Sequence, residues 1–134
     1  MEDVKINVKI KLSALWVTLM FFYIYADILG FYAPGILEEI IAGEVEGIQI
    51  TQVFLLASAI LMAIPSVMVF LSLTLPYPVN RWANIILGIA HIGILGVTFF
   101  IGEISAYYLF DAIVEGILLI LIVWYAWKWP KQEG

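Results

Sequence analysis

The chain has 134 residues, of which 64% are hydrophobic and only 13% are charged, and its mean hydropathy is +1.06. Soluble domains carry about a quarter charged residues, so the composition excludes an ordinary soluble domain and predicts an integral membrane protein. The lack of cysteine in the sequence excludes disulfides and thiol chemistry. The net charge of −5 argues against a nucleic-acid partner.

Four continuous apolar runs of membrane length predict an all-α fold, a transmembrane four-helix bundle that forms one domain over residues 1–134. These runs do not alternate between polar and apolar residues as membrane β-strands do. The first run is followed by no signal-peptide cleavage site, so it is expected to remain as a span. The predicted spans are residues 12–32, 51–75, 82–102 and 104–127.

The connections between the spans also carry patterns. Residues 1–11 alternate and are interpreted as an interfacial tail or a frayed helix start. Residues 36–47 pair apolar positions with glutamates, which predicts a short amphipathic outer helix. The prolyl turn at residues 76–81 predicts that spans two and three are antiparallel neighbours, whereas Gly102-Glu103 leaves room only for a tight turn.

The charge distribution predicts the orientation of the bundle. All cationic side chains lie before span one, in the turn between spans two and three, or after span four: Lys5, Lys9, Lys11, Arg81, Lys128 and Lys131. The two opposite connections contain glutamates and no Lys or Arg. The positive-inside rule therefore predicts a multi-pass protein of the cell membrane with both termini in the cytoplasm.

Two spans have faces suited to helix packing. In span two, small and polar residues recur at helical spacing and predict close packing: Gln52, Leu56, Ala59, Ala63 and Ser66. Span three carries a comparable stripe of small and polar residues: Asn84, Gly88, His91, Leu95, Thr98 and Gly102. Pro65 is expected to kink span two.

Ionisable residues inside the spans indicate a site, because a charge in hydrocarbon is costly unless it is partnered or hydrated. A rise of ~1.5 Å per residue puts Asp27 and Asp111 in the outer third of the membrane. The same count puts His91 and Glu115 near its middle. None of the three carboxylates has a Lys or Arg at its depth. The candidate ligand-binding residues are Tyr23, Asp27, Asn84, His91, Tyr108, Asp111 and Glu115.

Several motifs resemble those of an uncharacterised family of small prokaryotic four-helix membrane proteins: YIYADIL, GIQITQVFLLASAILMAIP, RWANIILGIAH and YYLFDAIVE…WYAWKWP. In outline the hydropathy is also similar to that of the DoxX-like group. The resemblance covers nearly the whole chain and implies a membrane bundle without an assigned reaction. The positions that match the family are Tyr25, Asp27, Pro65, Arg81, Trp82, Asn84, His91 and Glu115. It also implies a departure at Ala63, where relatives often carry a glutamate.

The favoured hypothesis is a pocket that binds a small amphiphilic or lipid-like ligand from the outer side, with Glu115 and His91 as a candidate proton-transfer pair. One alternative is a proton- or cation-conducting bundle. Another is an accessory subunit or homodimer that packs through its glycines. In a purely structural alternative, the buried acids only fix helix register. We expect no cofactor and no metal, because a lone His91 would need carboxylates or a second subunit to complete a metal shell.

Overall fold

The computed structural model describes residues 4–45, 47–101 and 105–130. Its helices are α1 (Val8–Gly30), α2 (Ile36–Ile41), α3 (Gln52–Thr74), α4 (Tyr77–Ile101) and α5 (Ala106–Trp127), and a hairpin joins β1 (Glu44–Val45) to β2 (Ile48–Gln49). The described part of the chain is thus all-α apart from this hairpin. Helices α1, α3, α4 and α5 are long and apolar enough to cross a membrane.

Two spans begin earlier than the sequence predicts, one because of a helix cap and the other because its first turn tolerates a proline. The Oδ1 of Asn7 accepts a hydrogen bond of 2.8 Å from the backbone N–H of Lys9, so α1 begins at Val8 and not at residue 12. Helix α4 begins at Tyr77 and includes most of the predicted turn. Pro78 is tolerated there because the first N–H groups of a helix have no intrahelical partner. The predicted turn at Gly102-Glu103 lies outside the described residues.

The predicted amphipathic helix is present as α2, but it ends at Ile41. Gly43 then adopts a left-handed φ of +85°, a conformation that favours glycine and terminates helices. The next residues pair as an antiparallel hairpin, with Glu44 opposite Gln49 and Val45 opposite Ile48. Sequence reasoning missed this hairpin because two residues per strand are too few to show a period.

The four long helices run up and down. Lys11 lies over the ring of Tyr125 and Arg81 contacts the last residues of α5, so the start of α1, the α3–α4 turn and the end of α5 share one end of the bundle. We call it the terminal end, and the opposite end, which carries α2 and the hairpin, the α2 end. Helix α1 packs against α3 and α5, and α4 packs against α5.

Helices α3 and α4 pack only weakly against each other. The hydrogen bonds that join them lie next to their turn, where the Nδ2 of Asn80 donates to the carbonyl oxygens of Ser72 and Leu75 at 2.8 and 3.2 Å. The two helices are neighbours at the turn, as predicted, but they form no extensive packing interface. We call the weakly packed boundary between α3 and α4 the seam.

The predicted packing face of α3 is wrong. Its residues are all exposed, namely Gln52, Leu56, Ala59, Ala63 and Ser66. The helix is instead buried at Pro65, Met68 and Ser72, on a different side. Small size alone could not distinguish these faces, because in lipid both apolar and small residues are compatible with exposure.

The buried core is concentrated in the terminal half. Helix α1 is buried at Val8, Leu12, Ser13, Trp16 and Leu19 and nowhere in its second half. Across the bundle, Leu119 and Ile122 of α5 are fully buried. The halves of the long helices that lead to the α2 end therefore leave space between them.

Candidate functional site

A cavity of about 250 Å³ lies in that space. All four long helices line it: Tyr23, Ala26 and Asp27 from α1, Leu61 and Met62 from α3, His91, Ile94, Leu95 and Thr98 from α4, and Tyr108, Asp111 and Glu115 from α5. Six of the seven candidate ligand-binding residues are among them.

Asn84 is the exception. It is fully buried but does not line the cavity, because it lies two helical turns nearer the terminal end than His91 on the same stripe of α4. The sequence predicted this stripe as one small and polar face of span three. In the structure its first part packs in the core and only His91, Leu95 and Thr98 reach the cavity.

The exposed fraction of the ionisable cavity side chains increases toward the α2 end of the bundle, and we call this end of the cavity its mouth. His91 and Glu115 are 4% and 7% exposed, Asp111 is half-buried, and Asp27 is exposed. Asp111 and Glu115 are one helical turn apart on α5, so the turn between them separates a deep carboxylate from a shallower one. The depths of these residues in a membrane stay a prediction.

The hydrogen bond made by His91 defines its tautomer. Its Nδ1 lies 2.8 Å from the carbonyl oxygen of Leu87, and a carbonyl can only accept, so Nδ1 carries a hydrogen and donates. In the neutral imidazole, Nε2 then bears the lone pair. The ring is held by an edge contact with Trp16, with centroids 5.6 Å apart, and by stacking with Tyr23 at 6.4 Å.

Two buried polar atoms of the cavity residues have no hydrogen-bond partner among the described residues. They are Nε2 of His91 and Oδ2 of Asp111. Unpartnered buried polar atoms are uncommon and costly in native proteins. Glu115 and His91, which were predicted as a proton-transfer pair, both line the cavity. The Nε2 of His91 makes no hydrogen bond to the Glu115 carboxylate.

A buried polar network closes the cavity on its terminal side. The Nε1 of Trp16 donates to the Oδ1 of Asn84 at 2.7 Å. The Nδ2 of Asn84 donates to the Oδ1 and backbone O of Asn80 at 2.7 and 2.9 Å, and the Oγ of Ser72 reaches the Oδ1 of Asn84 at 3.4 Å. The network therefore links α1, α3 and α4 below the cavity.

Trp16 is a residue that sequence reasoning missed. With the span predicted at residues 12–32, Trp16 lay close to its start, where belt tryptophans are expected, so the sequence contained no signal. In the structure α1 begins at Val8, and the buried N–H of Trp16 needs an acceptor. Asn84 supplies that acceptor.

The apolar wall of the cavity was also missed. Leu61 and Met62 come from α3, and Ile94 and Leu95 from α4. The acidic residues come only from α1 and α5, so the cavity has one acidic, aromatic side and one apolar side. The apolar side coincides with the seam between α3 and α4.

Six of the nine positions implied by the family resemblance do not line the cavity, namely Tyr25, Ala63, Pro65, Arg81, Trp82 and Asn84. Tyr25 is exposed and stacks on Phe21 at 6.3 Å, and Ala63 is exposed. In the described residues, no set of three or more His, Asp or Glu side chains is arranged to hold a metal ion.

These features define a class: an all-α protein with four membrane-length helices around a cavity that contains carboxylates and one histidine. Over residues 3–134 the chain matches a protein family described as "Family of unknown function (DUF6326)", and the chain belongs to this family. No curated protein and no solved structure matches it. Similarity to the DoxX-like group stays a prediction.

Proposed function

We propose that the protein is a membrane-resident binding protein for a small amphiphilic or lipid-like ligand, which enters the cavity from the outer side. The observation that carries the proposal is the division of one cavity into an acidic, aromatic side and an apolar side. Ligand sites typically combine mostly apolar walls with a few convergent polar groups.

The cavity volume sets the size of the ligand. About 250 Å³ is slightly below the ~300–1,000 Å³ of typical small-molecule pockets. A whole membrane lipid is too large for this space. A small molecule fits, as does the polar end of an amphiphile whose chain extends into the bilayer.

Closure at the terminal end favours binding over conduction. Between the cavity and that end lie the fully buried side chains of Leu12, Trp16 and Leu119 and the Asn84 network. On α5, residues 116–127 contain no ionisable group except Tyr125. A proton or cation relay needs a continuous path of ionisable or hydrated groups. The Asn84 network is polar but contains no ionisable group, and the buried leucines beside it are apolar.

In an accessory-subunit role, the glycines of α4 would form the surface that packs against a partner helix. Gly88 is already used inside the bundle, because an added Cβ would lie 2.7 Å from Cγ2 of Val123. Gly93 and Gly96 have no described neighbour within 4 Å of such a Cβ and remain available to a partner helix or a second copy. Nothing else in the described residues favours that role over lipid contact.

Ligand binding is tested by thermal unfolding in detergent with octyl compounds that carry cationic, neutral or anionic heads. Equal chain length and equal mole fraction in the micelle keep partitioning comparable. We expect at least one compound to raise the Tm of the wild type, and Ala26→Leu to remove that shift because Ala26 lines the cavity. Thr98→Leu is a second filling variant in case the first fails to fold.

The matched control is Ala14→Leu, an identical change at an exposed position of the same helix that does not line the cavity. It should retain the ligand-dependent shift. The proposal is wrong if no compound shifts the Tm, or if the shift is equal in wild type and in both filling variants.

A further inference from the structure

The cavity offers a ligand an excess of hydrogen-bond acceptors. Its acidic side carries the carboxylates of Asp27, Asp111 and Glu115, which accept when ionised. His91 adds a fourth acceptor, because its Nδ1 donates to Leu87 and leaves the lone pair on Nε2. Among the residues that the structure describes, no Lys or Arg lines the cavity.

Two of these acceptor groups lack a hydrogen-bond partner, in addition to being part of an acidic cavity. His91 is 4% exposed, and its Nε2 and the Oδ2 of Asp111 lack partners among the described residues. Both atoms are buried in the structure, so a ligand donor reaches them only when side chains at the cavity wall rotate.

From this arrangement we infer that the ligand is a primary alkylamine, bound as its ammonium ion against His91, Asp111 and Glu115, with its chain directed between α3 and α4. The inference rests on the proposed function and names its ligand class. An ammonium group has three N–H donors and no acceptor. Two donors would pair with Nε2 of His91 and Oδ2 of Asp111, and the third with the carboxylate of Glu115. It also supplies the positive charge that the lining residues lack.

Other head groups match the same site less well. A hydroxyl group has a single donor and no charge. A carboxylate or phosphate head would face three carboxylates without a cation, and like charges at close range repel. A quaternary ammonium ion carries the charge and suits the rings of Tyr23 and Tyr108, but it has no N–H for His91.

The direction of the chain follows from the apolar side of the cavity. Leu61 and Met62 of α3 and Ile94 of α4 form this side. The two helices pack only weakly against each other, so we expect an alkyl chain to leave the cavity between them. An alkyl chain in this seam stays in apolar surroundings while the ammonium group reaches the carboxylates.

The test compares octylamine, octanol and octyltrimethylammonium at neutral pH. Charge-assisted hydrogen bonds are roughly twice as strong as neutral ones, so octylamine should bind at least about tenfold more tightly than the other two. Asp111→Asn should weaken octylamine binding by about tenfold or more and leave octanol binding unchanged. Glu38→Gln is the matched control, because it removes one exposed carboxylate on α2.

A spectroscopic signature identifies the acceptor. His91 is the only histidine in the sequence, so ¹⁵N-histidine labelling gives one imidazole signal pair. Octylamine should shift the Nε2 resonance by hydrogen bonding and leave Nδ1 protonated, and octyltrimethylammonium should not. This measurement uses the wild type and does not depend on a variant that folds.

The outcomes separate the two proposals. Tight binding of octanol or octyltrimethylammonium, at or above the level of octylamine, overturns the amine inference and leaves the proposed function standing. Octylamine binding that is unaffected by Asp111→Asn, or that leaves Nε2 unshifted, also overturns it. If none of the octyl compounds binds, both proposals fail.

Discussion

At the scale of single residues, the Trp16–Asn84 pair is the clearest constraint on the described structure. Both side chains are fully buried, and their 2.7 Å hydrogen bond joins α1 to α4, two helices far apart in sequence. A buried donor that loses its acceptor costs about 1–3 kcal/mol. Within a membrane such bonds average less, because unfolded helices in lipid also find partners.

We predict that Asn84→Ala lowers the free energy of unfolding by about 1–3 kcal/mol, since it leaves the Nε1 of Trp16 unpaired. A double-mutant cycle with Trp16→Phe should give a coupling energy of about 0.6–1.7 kcal/mol. Unfolding in mixed micelles with increasing SDS measures both values. As a control, Thr18→Ala removes an exposed hydroxyl that bonds only within its own helix and should change stability by less than about 0.5 kcal/mol. A coupling energy near zero would contradict the assigned bond.

At the scale of elements, the contact of α4 with α5 depends on Gly88. A Cβ at this position would lie 2.7 Å from Cγ2 of Val123 and 3.5 Å from Cγ2 of Ile122. Both neighbours are β-branched and therefore stiff at χ1. The helices can approach this closely only because the side chain is missing.

Gly88→Ala is therefore expected to destabilise the protein by about 1–3 kcal/mol through overpacking, and Val123→Ala should restore much of the loss by removing the obstructing methyl group. The matched control is Gly93→Ala on the same helix, where no described atom lies within 4 Å of an added Cβ. That change should be neutral or stabilise the helix by up to about 1 kcal/mol. Equal effects of the two alanines in SDS unfolding would contradict the packing argument.

Arg81 shows how one side chain can join two elements. Its Nε donates to the carbonyl oxygen of Ala126 at 3.0 Å and an Nη donates to that of Trp127 at 3.2 Å. These carbonyls belong to the last turn of α5, which has no intrahelical donors, and a cation stabilises that end of the helix dipole. From the sequence, Arg81 was related only to the orientation of the bundle and to the family resemblance.

At the scale of the whole molecule, orientation decides which compartment the cavity mouth faces. The acidic α2 and hairpin lie at the end toward which the cavity becomes more exposed, and the described cations lie at the terminal end. With the positive-inside rule, this arrangement predicts a cavity that opens toward the outer side.

The orientation can be tested with single cysteines, because the native chain has none. Glu38→Cys and Lys128→Cys introduce a thiol at exposed positions near opposite ends of the bundle. We predict that an impermeant maleimide labels Glu38→Cys in intact cells, and labels Lys128→Cys only after the membrane is permeabilised. The reverse pattern would invert the topology and place the cavity mouth in the cytoplasm.

Much of the fold and part of the candidate site could be predicted from local patterns. Continuous apolar runs specified four helices, because a membrane span must satisfy its own backbone, and depth counting along those helices grouped His91 with Glu115. The starts of α1 and α4 were missed by several residues, since a cap at Asn7 or a proline inside the first turn is a local detail that hydropathy does not reveal.

The sequence by itself determined the apolar composition that predicts a membrane protein, the number of long helices and which ionisable residues lie inside them, because each of these depends on the composition of one segment. The tertiary structure alone decided which faces meet. It placed Asn84 in the core with Trp16, exposed the small-residue face of α3, and put apolar α3 opposite acidic α5 around one cavity. The physical reason is that helix rotation and pairing depend on side-chain fit between segments, and in lipid the hydrophobic pattern of a single helix does not specify that fit.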